Sequence, residues 1–319
     1  MRPVLHRLIN GLFFVLTPLI ARIARRQATL GPSSVPATFK VWSSVGLTPV
    51  LHHYYQPIYD PHDLPLTTWT RRDPLHGINM NAAGQVALLE QFHYGSELTS
   101  IPMDNPGKEL KFYYDNGYFG SGDAEILYNM IRHFQPRQVM EIGSGHSTRM
   151  AKKALDENWK QGSSATHICI EPYTNRWLED LGVGRVIRSR VEDVDPTMFR
   201  NLQENDILFI DSSHVLRTGG DVFTEYLHIL PILNAGVIIH VHDIFLPFDY
   251  PEDWVVNWRR FYTEQYLLQA FLAFNDSFEI LAALNYLAHD YRQELGLACP
   301  VFARHAGSNP SSFWIRKKL

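Results

Sequence analysis

Cysteine is nearly absent from the sequence: there are two, Cys169 and Cys299, in unrelated contexts and without metal-ligand spacing. That excludes a disulfide framework and a cysteine-built zinc site, and makes a reducing compartment the default. Charge of one sign is absent too. Lys and Arg number 29 against 33 Asp and Glu, a net charge of -4 over 319 residues, which gives no reason to expect nucleic acid or another polyanion as partner. Acidic residues are missing from one end, where none precedes Asp60 while Arg2, Arg7, Arg22, Arg25, Arg26 and Lys40 do. A long hydrophobic run is missing as well. The stretch LINGLFFVLTPLIA (8–21) is interrupted by Asn10, Gly11 and Pro18 and closed by arginines, short of the ~20 apolar residues of a spanning helix. It runs into those arginines with no small-residue cleavage site, which speaks against a secretory signal. Two readings remain for it: a helix at an anionic membrane surface, or an arm packed on the enzyme or on a partner subunit of a homo-oligomer. The expected location is cytoplasmic, at the inner face of a membrane under the first reading.

What is present is enough apolar material, 45% of residues, for one large α/β domain with extensions. The reading divides the chain into a basic apolar segment (1–30), an extension rich in Pro, Ser, Thr and aromatics that serves substrate or oligomer contacts (31–115), and a catalytic domain (116–319). The aromatics of GPSSVPATF and HHYYQPIYDPHDLP argue for an ordered loop region over a free linker. A helical period over SGDAEILYNMIRHF leads into the strand QVMEI, the turn GSGHST and the helical pattern RMAKKALDENW. The runs THICIE, RVIR, DILFID and GVIIHVHD follow as strands separated by helix-length segments such as DVFTEYLHILPIL, and SSFWIRK is expected as an extra edge strand. Alternation of this kind predicts a mostly parallel sheet with helices on both faces, plus an N-terminal arm. Ligands of such sheets gather at the carboxyl ends of the strands, so the residues after each strand are the ones to interrogate.

After the first strand, Glu141 precedes a turn of Gly143, Ser144, Gly145, His146 and Ser147. Its glycines permit a sharp turn and close approach to a ligand, and the helix behind it offers N–H groups. The third glycine of a dinucleotide fingerprint is replaced by Thr148. Glu171 ends the second strand, where a carboxylate can accept from the ribose hydroxyls of an adenosine; Arg190, Val191 and Glu192 after the third are placed to wall an adenine. The fourth and fifth strands end in Asp211, with His214 three residues on, and in His242 and Asp243. Two carboxylates and an imidazole can hold a divalent cation such as magnesium, leaving His214 as a base. Further on, Tyr266, Leu267, Ala270, Phe271 and Phe274 form a helical stripe expected in the core, while nearby Trp and Tyr residues suit stacking on a sugar or another ring.

On MEIGSGHST, the Glu171 strand end, IDSSH and HVHDIF, the segment from Gly117 to Phe248 resembles Rossmann-fold methyltransferases related to the macrocin and mycinamicin sugar O-methyltransferases, and more distantly catechol O-methyltransferase. The resemblance implies a class I methyltransferase fold, S-adenosylmethionine as cofactor with Glu141 near its methionine end, and O-methylation of a saccharide or small-molecule hydroxyl. It implies magnesium on Asp211, with His214 as general base. Where those enzymes carry two adjacent acidic residues after the next strand, this chain has His242 and Asp243. The rival expectations are an NAD-dependent oxidoreductase, a metal-dependent relative of the same family with hydroxylase-like chemistry, and a non-catalytic scaffold docked on a membrane through the basic end.

Overall fold

A computed structural model describes residues 2–107, 110–174 and 176–318. Met1, the first residue of the expected N-terminal segment, lies outside them, as do the side chains of residues 2–9. The chain divides into two compact units, Met1–Pro65 and Leu66–Leu319. In the first, α1 (Arg2–Leu30) is followed by α2 (Pro36–Ser44), joined to it by a hydrogen bond that Trp42 Nε1 donates to Gln27 Oε1 at 2.6 Å. The 31–73 stretch thus holds a short helix, started by Pro36 in the first turn, where its missing N–H costs nothing. No helix of the described residues is long and apolar enough to cross a membrane.

The second unit opens with α3 (Ala82–Leu89) and α4 (Gly95–Thr99). Leu88, Leu89, Phe92, Leu98, Phe112, Tyr114 and Phe119 from this part are buried in the same core as α5 (Asp123–Phe134), so this part belongs to the body of the second unit. Seven strands follow: β1 (Gln138–Ile142), β2 (Thr166–Ile170), β3 (Arg185–Ile187), β4 (Ile207–Ile210), β5 (Ile238–Val241), β6 (Phe278–Ala283) and β7 (Phe313–Lys317). Their order is β3-β2-β1-β4-β5-β7-β6, with β1 to β5 parallel and β7 antiparallel to both neighbours. This is the expected Rossmann-like methyltransferase fold. One core lies on each face of the sheet.

SSFWIRK is not an edge strand. It lies between β5 and β6, where Phe313, Trp314 and Ile315 are at most 1% exposed, because side chains on both its faces are apolar and an interior position buries both. The edge on this side is FEILAA, which follows the turn residues Asn275, Asp276 and Ser277. DVFTEYLHILPIL gives a broken helix: a helical turn over Asp221–Thr224 passes into a π-helical turn over Glu225–Ile229 and closes as a 3₁₀ turn at Leu230–Ile232, where Pro231 cannot continue the ladder.

The order of the strands fixes where a ligand can sit. The chain runs from β1 outward to β2 and β3, then returns to β4 on the other side of β1. The crevice outside the carboxyl ends of β1 and β4 is therefore the switch point of the sheet, the place where open α/β folds bind ligands.

Candidate active site

The strand ladders run one step past the strands. Gly143 N–H donates to the Ile170 carbonyl at 3.0 Å, Asp211 N–H to Ile142 at 2.9 Å and His242 N–H to Ile210 at 3.0 Å. The residues expected to carry chemistry are thereby set on one rim. Gly143 is needed for the approach of the first two ends. Its φ is +85°, and a Cβ there would lie 2.0 Å from the Asp211 carbonyl oxygen. Gly145 differs: it has extended backbone and nothing within 4 Å of an added Cβ, so the space in front of it is open.

Behind the turn, α6 (His146–Lys160) buries Met150, Ala151, Ala154 and Leu155. Thr148 closes its first turn by accepting from Gly145 N–H at 3.0 Å and donating to Glu141 Oε2 at 2.9 Å. Glu141 is fully buried and is also bonded by Ser147 Oγ at 3.4 Å and by His167 Nε2. It holds the turn from beneath. Glu171 is buried at the end of β2, its two oxygens accepting from Ser144 N–H at 3.1 Å and Tyr173 N–H at 2.8 Å. Val191 is buried in the core and Glu192 is half-buried on the 3₁₀ turn Val191–Asp193 that follows β3. His146 stacks on Tyr118, ring centres 6.0 Å apart; burial, then the nearby Arg149 charge, pulls its imidazole down to about 4.

At the ends of β4 and β5 the four expected side chains form one connected group. His214 Nε2 lies 3.3 Å from Asp211 Oδ1 and 3.5 Å from Asp243 Oδ2. His242 Nε2 lies 3.5 Å from Asp243 Oδ1, its ring packed between Phe119 and His240. Asp243 also accepts from Ser311 Oγ at 3.3 Å. His214 and Asp243 are both left-handed, with φ of 59° and 56°, a conformation that costs a non-glycine residue about 1 kcal/mol or more and collects at functional sites.

A residue without any signal in the sequence completes the group. Glu264, the first residue of α7 (Glu264–Leu272), accepts from His214 Nδ1 at 2.8 Å and is wholly buried. The backbone N–H groups of Thr263 and Glu264 donate to the His214 carbonyl at 2.9 and 3.1 Å, so the two loops are clamped together. Glu264 reaches this place because α7 buries Glu264, Gln265, Leu268 and Leu272. The expected stripe is displaced: Tyr266 is 46% and Phe274 87% exposed, since the polar pair Glu264 and Gln265 find partners inside. Gln265 Oε1 accepts from Phe245 N–H at 2.9 Å.

The charges of this cluster are interlocked. Burial alone pushes the His214 imidazole down, but the hydrogen bonds to Asp211 and Glu264 and the charges of Glu264 and Asp243 outweigh it and hold it well above the ordinary range. Burial likewise favours neutral Asp211, and the His242 charge and the His214 bond reverse this, bringing it to about 2. With Nδ1 committed to Glu264, every proton exchange of His214 takes place at Nε2. A cavity of about 1060 Å³ opens here, lined among others by Asp211, His214, Asp243, Tyr118, Trp254 and Tyr262. A side chain 33% exposed, such as Asp211, and one 13% exposed, such as Asp243, therefore reach a space large enough for a small acceptor. Among the described residues, the three donors whose atoms all lie within 4.8 Å of one another are Glu141, His167 and Cys169, buried under the sheet end; Asp211, His242 and Asp243 form a more open set.

Residues 140–244 match the family model of a methyltransferase domain. The matched segment holds the glycine turn, Glu171 and both histidine-bearing strand ends, and Glu264 lies beyond it. An uncharacterised protein of Archaeoglobus fulgidus is 34% identical over 139 residues, which are 41% of this chain and 61% of that protein. The chain thus spans about three fifths of the curated relative it matches. The crystal structure of a SAM-dependent methyltransferase from Archaeoglobus fulgidus aligns over 64% of this chain and 97% of its own, at 15% identity and a TM-score of 0.32.

Proposed function

We propose that the chain transfers the methyl group of S-adenosylmethionine to a hydroxyl oxygen of a small acceptor, with a saccharide as the acceptor class. The observation that carries this reading is the meeting of Asp211, His214, Asp243 and Glu264 at the ends of β4 and β5, one strand from the glycine turn at the switch point, within or beside a segment that matches a methyltransferase domain.

The residues present fit the cofactor: Gly143, Ser144, Gly145, His146 and Ser147 frame an open turn at a helix N-terminus, Glu171 offers carboxylate oxygens at the second strand end, and Val191 and Glu192 follow the third. Bound there, S-adenosylmethionine supplies an electrophilic sulfonium methyl. This chain's residues do the rest. Glu264 fixes the tautomer and orientation of His214, and the imidazole, which Asp211 and Glu264 hold in its charged form, must first give up its Nε2 proton before Nε2 takes that of the acceptor hydroxyl as its oxygen becomes nucleophilic. Tyr118, Trp254 and Tyr262 hold the acceptor and exclude water. The catalytic gain is positioning plus proton removal. Asp211 and Asp243, hard oxygen donors open to the cavity, would hold a divalent cation such as magnesium, with His242 beside them; a cation there lowers the pKa of a bound hydroxyl.

Melting curves test the cofactor. S-adenosylmethionine at a hundred times its dissociation constant stabilises the protein by about 2.7 kcal/mol, and NAD leaves the curve unchanged; the reverse result overturns the reading in favour of an oxidoreductase. His214→Ala is expected to keep the shift while losing turnover of an accepted saccharide, and turnover at the wild-type rate removes His214 from the base role. Magnesium titrated into the wild type and into Asp243→Asn is expected to release heat in the first only.

A further inference from the structure

Helix α1 has a face that the enzyme's chemistry does not use. Leu12, Leu16, Leu19, Ile20 and Ile23 stand at i, i+4, i+7, i+8 and i+11, which at roughly 100° per residue places them within one arc of roughly 100°. Each is between 42% and 59% exposed. Phe13 borders this arc and is 61% exposed. Arg26 and Arg22 flank this arc along one edge and Arg25 lies opposite it, while Val15 sits among the flanking arginines and Phe14 beside Arg25, 72% and 83% exposed. The segment from Leu12 to Ile23 is about 18 Å long at ~1.5 Å per residue, against a hydrocarbon core of ~30 Å.

We propose that α1 is an in-plane anchor that docks this chain on an anionic lipid surface, its apolar arc in the acyl boundary and its arginines among the head groups. Charge decides between a bilayer and a second copy of the chain. No acidic residue occurs before Asp60, so pairing two copies of this arm sets arginine against arginine with no carboxylate of the arm to compensate. Anionic head groups supply the missing charge, within reach of the arginines that flank the arc. A helix of this length, with an apolar arc and a basic flank, has the pattern of an interfacial helix and not of a span.

The test is co-sedimentation of the full chain with phosphatidylcholine vesicles and with vesicles containing phosphatidylglycerol. Three arginines near the surface, each contributing about fivefold, favour the anionic vesicles by about a hundredfold at low salt, and high salt releases the protein. Leu16→Glu with Ile20→Glu abolishes pelleting while leaving the melting curve of the catalytic unit unchanged. Arg22→Glu with Arg25→Glu and Arg26→Glu, which spares the apolar face, removes the preference for anionic lipid. Failure of the wild type to pellet with anionic vesicles overturns the proposal. So does equal binding to both vesicle types, or a loss of oligomeric mass in the Leu16 and Ile20 variant with vesicle binding intact, which would assign the face to a second copy.

Discussion

Gly143 and Gly145 sit two residues apart in one turn, and substitution by alanine is expected to break two different things. At Gly143 the new Cβ falls 2.0 Å from the Asp211 carbonyl oxygen, a backbone atom, and φ is +85°. The left-handed conformation costs an L-residue about 1–2 kcal/mol, and forcing the ends of β1 and β4 apart adds about 1–3 kcal/mol. Gly143→Ala is therefore expected to lose about 2–5 kcal/mol, or roughly 4–20 °C in Tm for a unit of this size, and to move Asp211. At Gly145 an added methyl meets nothing within 4 Å and the backbone is extended. Gly145→Ala is expected to fold with unchanged or slightly raised stability, since alanine narrows the unfolded ensemble, yet to weaken S-adenosylmethionine at least tenfold because the methyl fills the cradle. Denaturant melts give the first quantity and titration calorimetry the second. A Gly145→Ala protein with wild-type cofactor affinity would refute the idea that this turn receives the ligand, and a fully stable Gly143→Ala would refute the packing argument.

Glu264→Gln keeps the shape of the carboxylate but no longer enforces the His214 tautomer; kcat is expected to fall about a hundredfold or more with cofactor affinity unchanged, as steady-state kinetics and calorimetry would show. Asp123 accepts from the N–H groups of Ser311 and Ser312 at 2.9 and 2.7 Å, so Asp123→Ala leaves two buried donors unpaired and should cost about 2–4 kcal/mol in a urea melt. His146 is held down to about 4 in the folded chain against ~6.5 unfolded. Below 6.5 the unfolded chain takes the proton first, so this contribution to stability is full above pH 6.5 and is lost as pH falls toward 4. Because His146 is only half-buried, screening limits the effect, and the wild type should lose about 1 kcal/mol more than His146→Gln between pH 7 and pH 4.

Five strands and four strand-end residues could be read before folding, because parallel strands buried on both faces appear as short β-branched runs and chemistry follows each run directly. Glu264 could not. It lies 50 residues from His214 in a helix whose apolar residues suggested another buried face, and only the fold reveals that a carboxylate and an amide take the inward positions. The interior place of β7 is legible only in part: its apolar faces fit an interior strand, but the antiparallel pairing with β6 that puts it there is decided by the fold. Glu141 shows a third limit: its position before the turn suggested a ligand contact, whereas its oxygens are taken by His167, Thr148 and Ser147.

The most direct test is a crystal structure with S-adenosylhomocysteine bound. The ribose is expected at Glu171, the amino-acid end at the turn of Gly143 to Ser147, and the sulfur facing the cavity that His214 Nε2 enters between Asp211 and Asp243. An adenosyl group bound elsewhere, or a sulfur that His214 cannot face across one acceptor oxygen, would contradict the account.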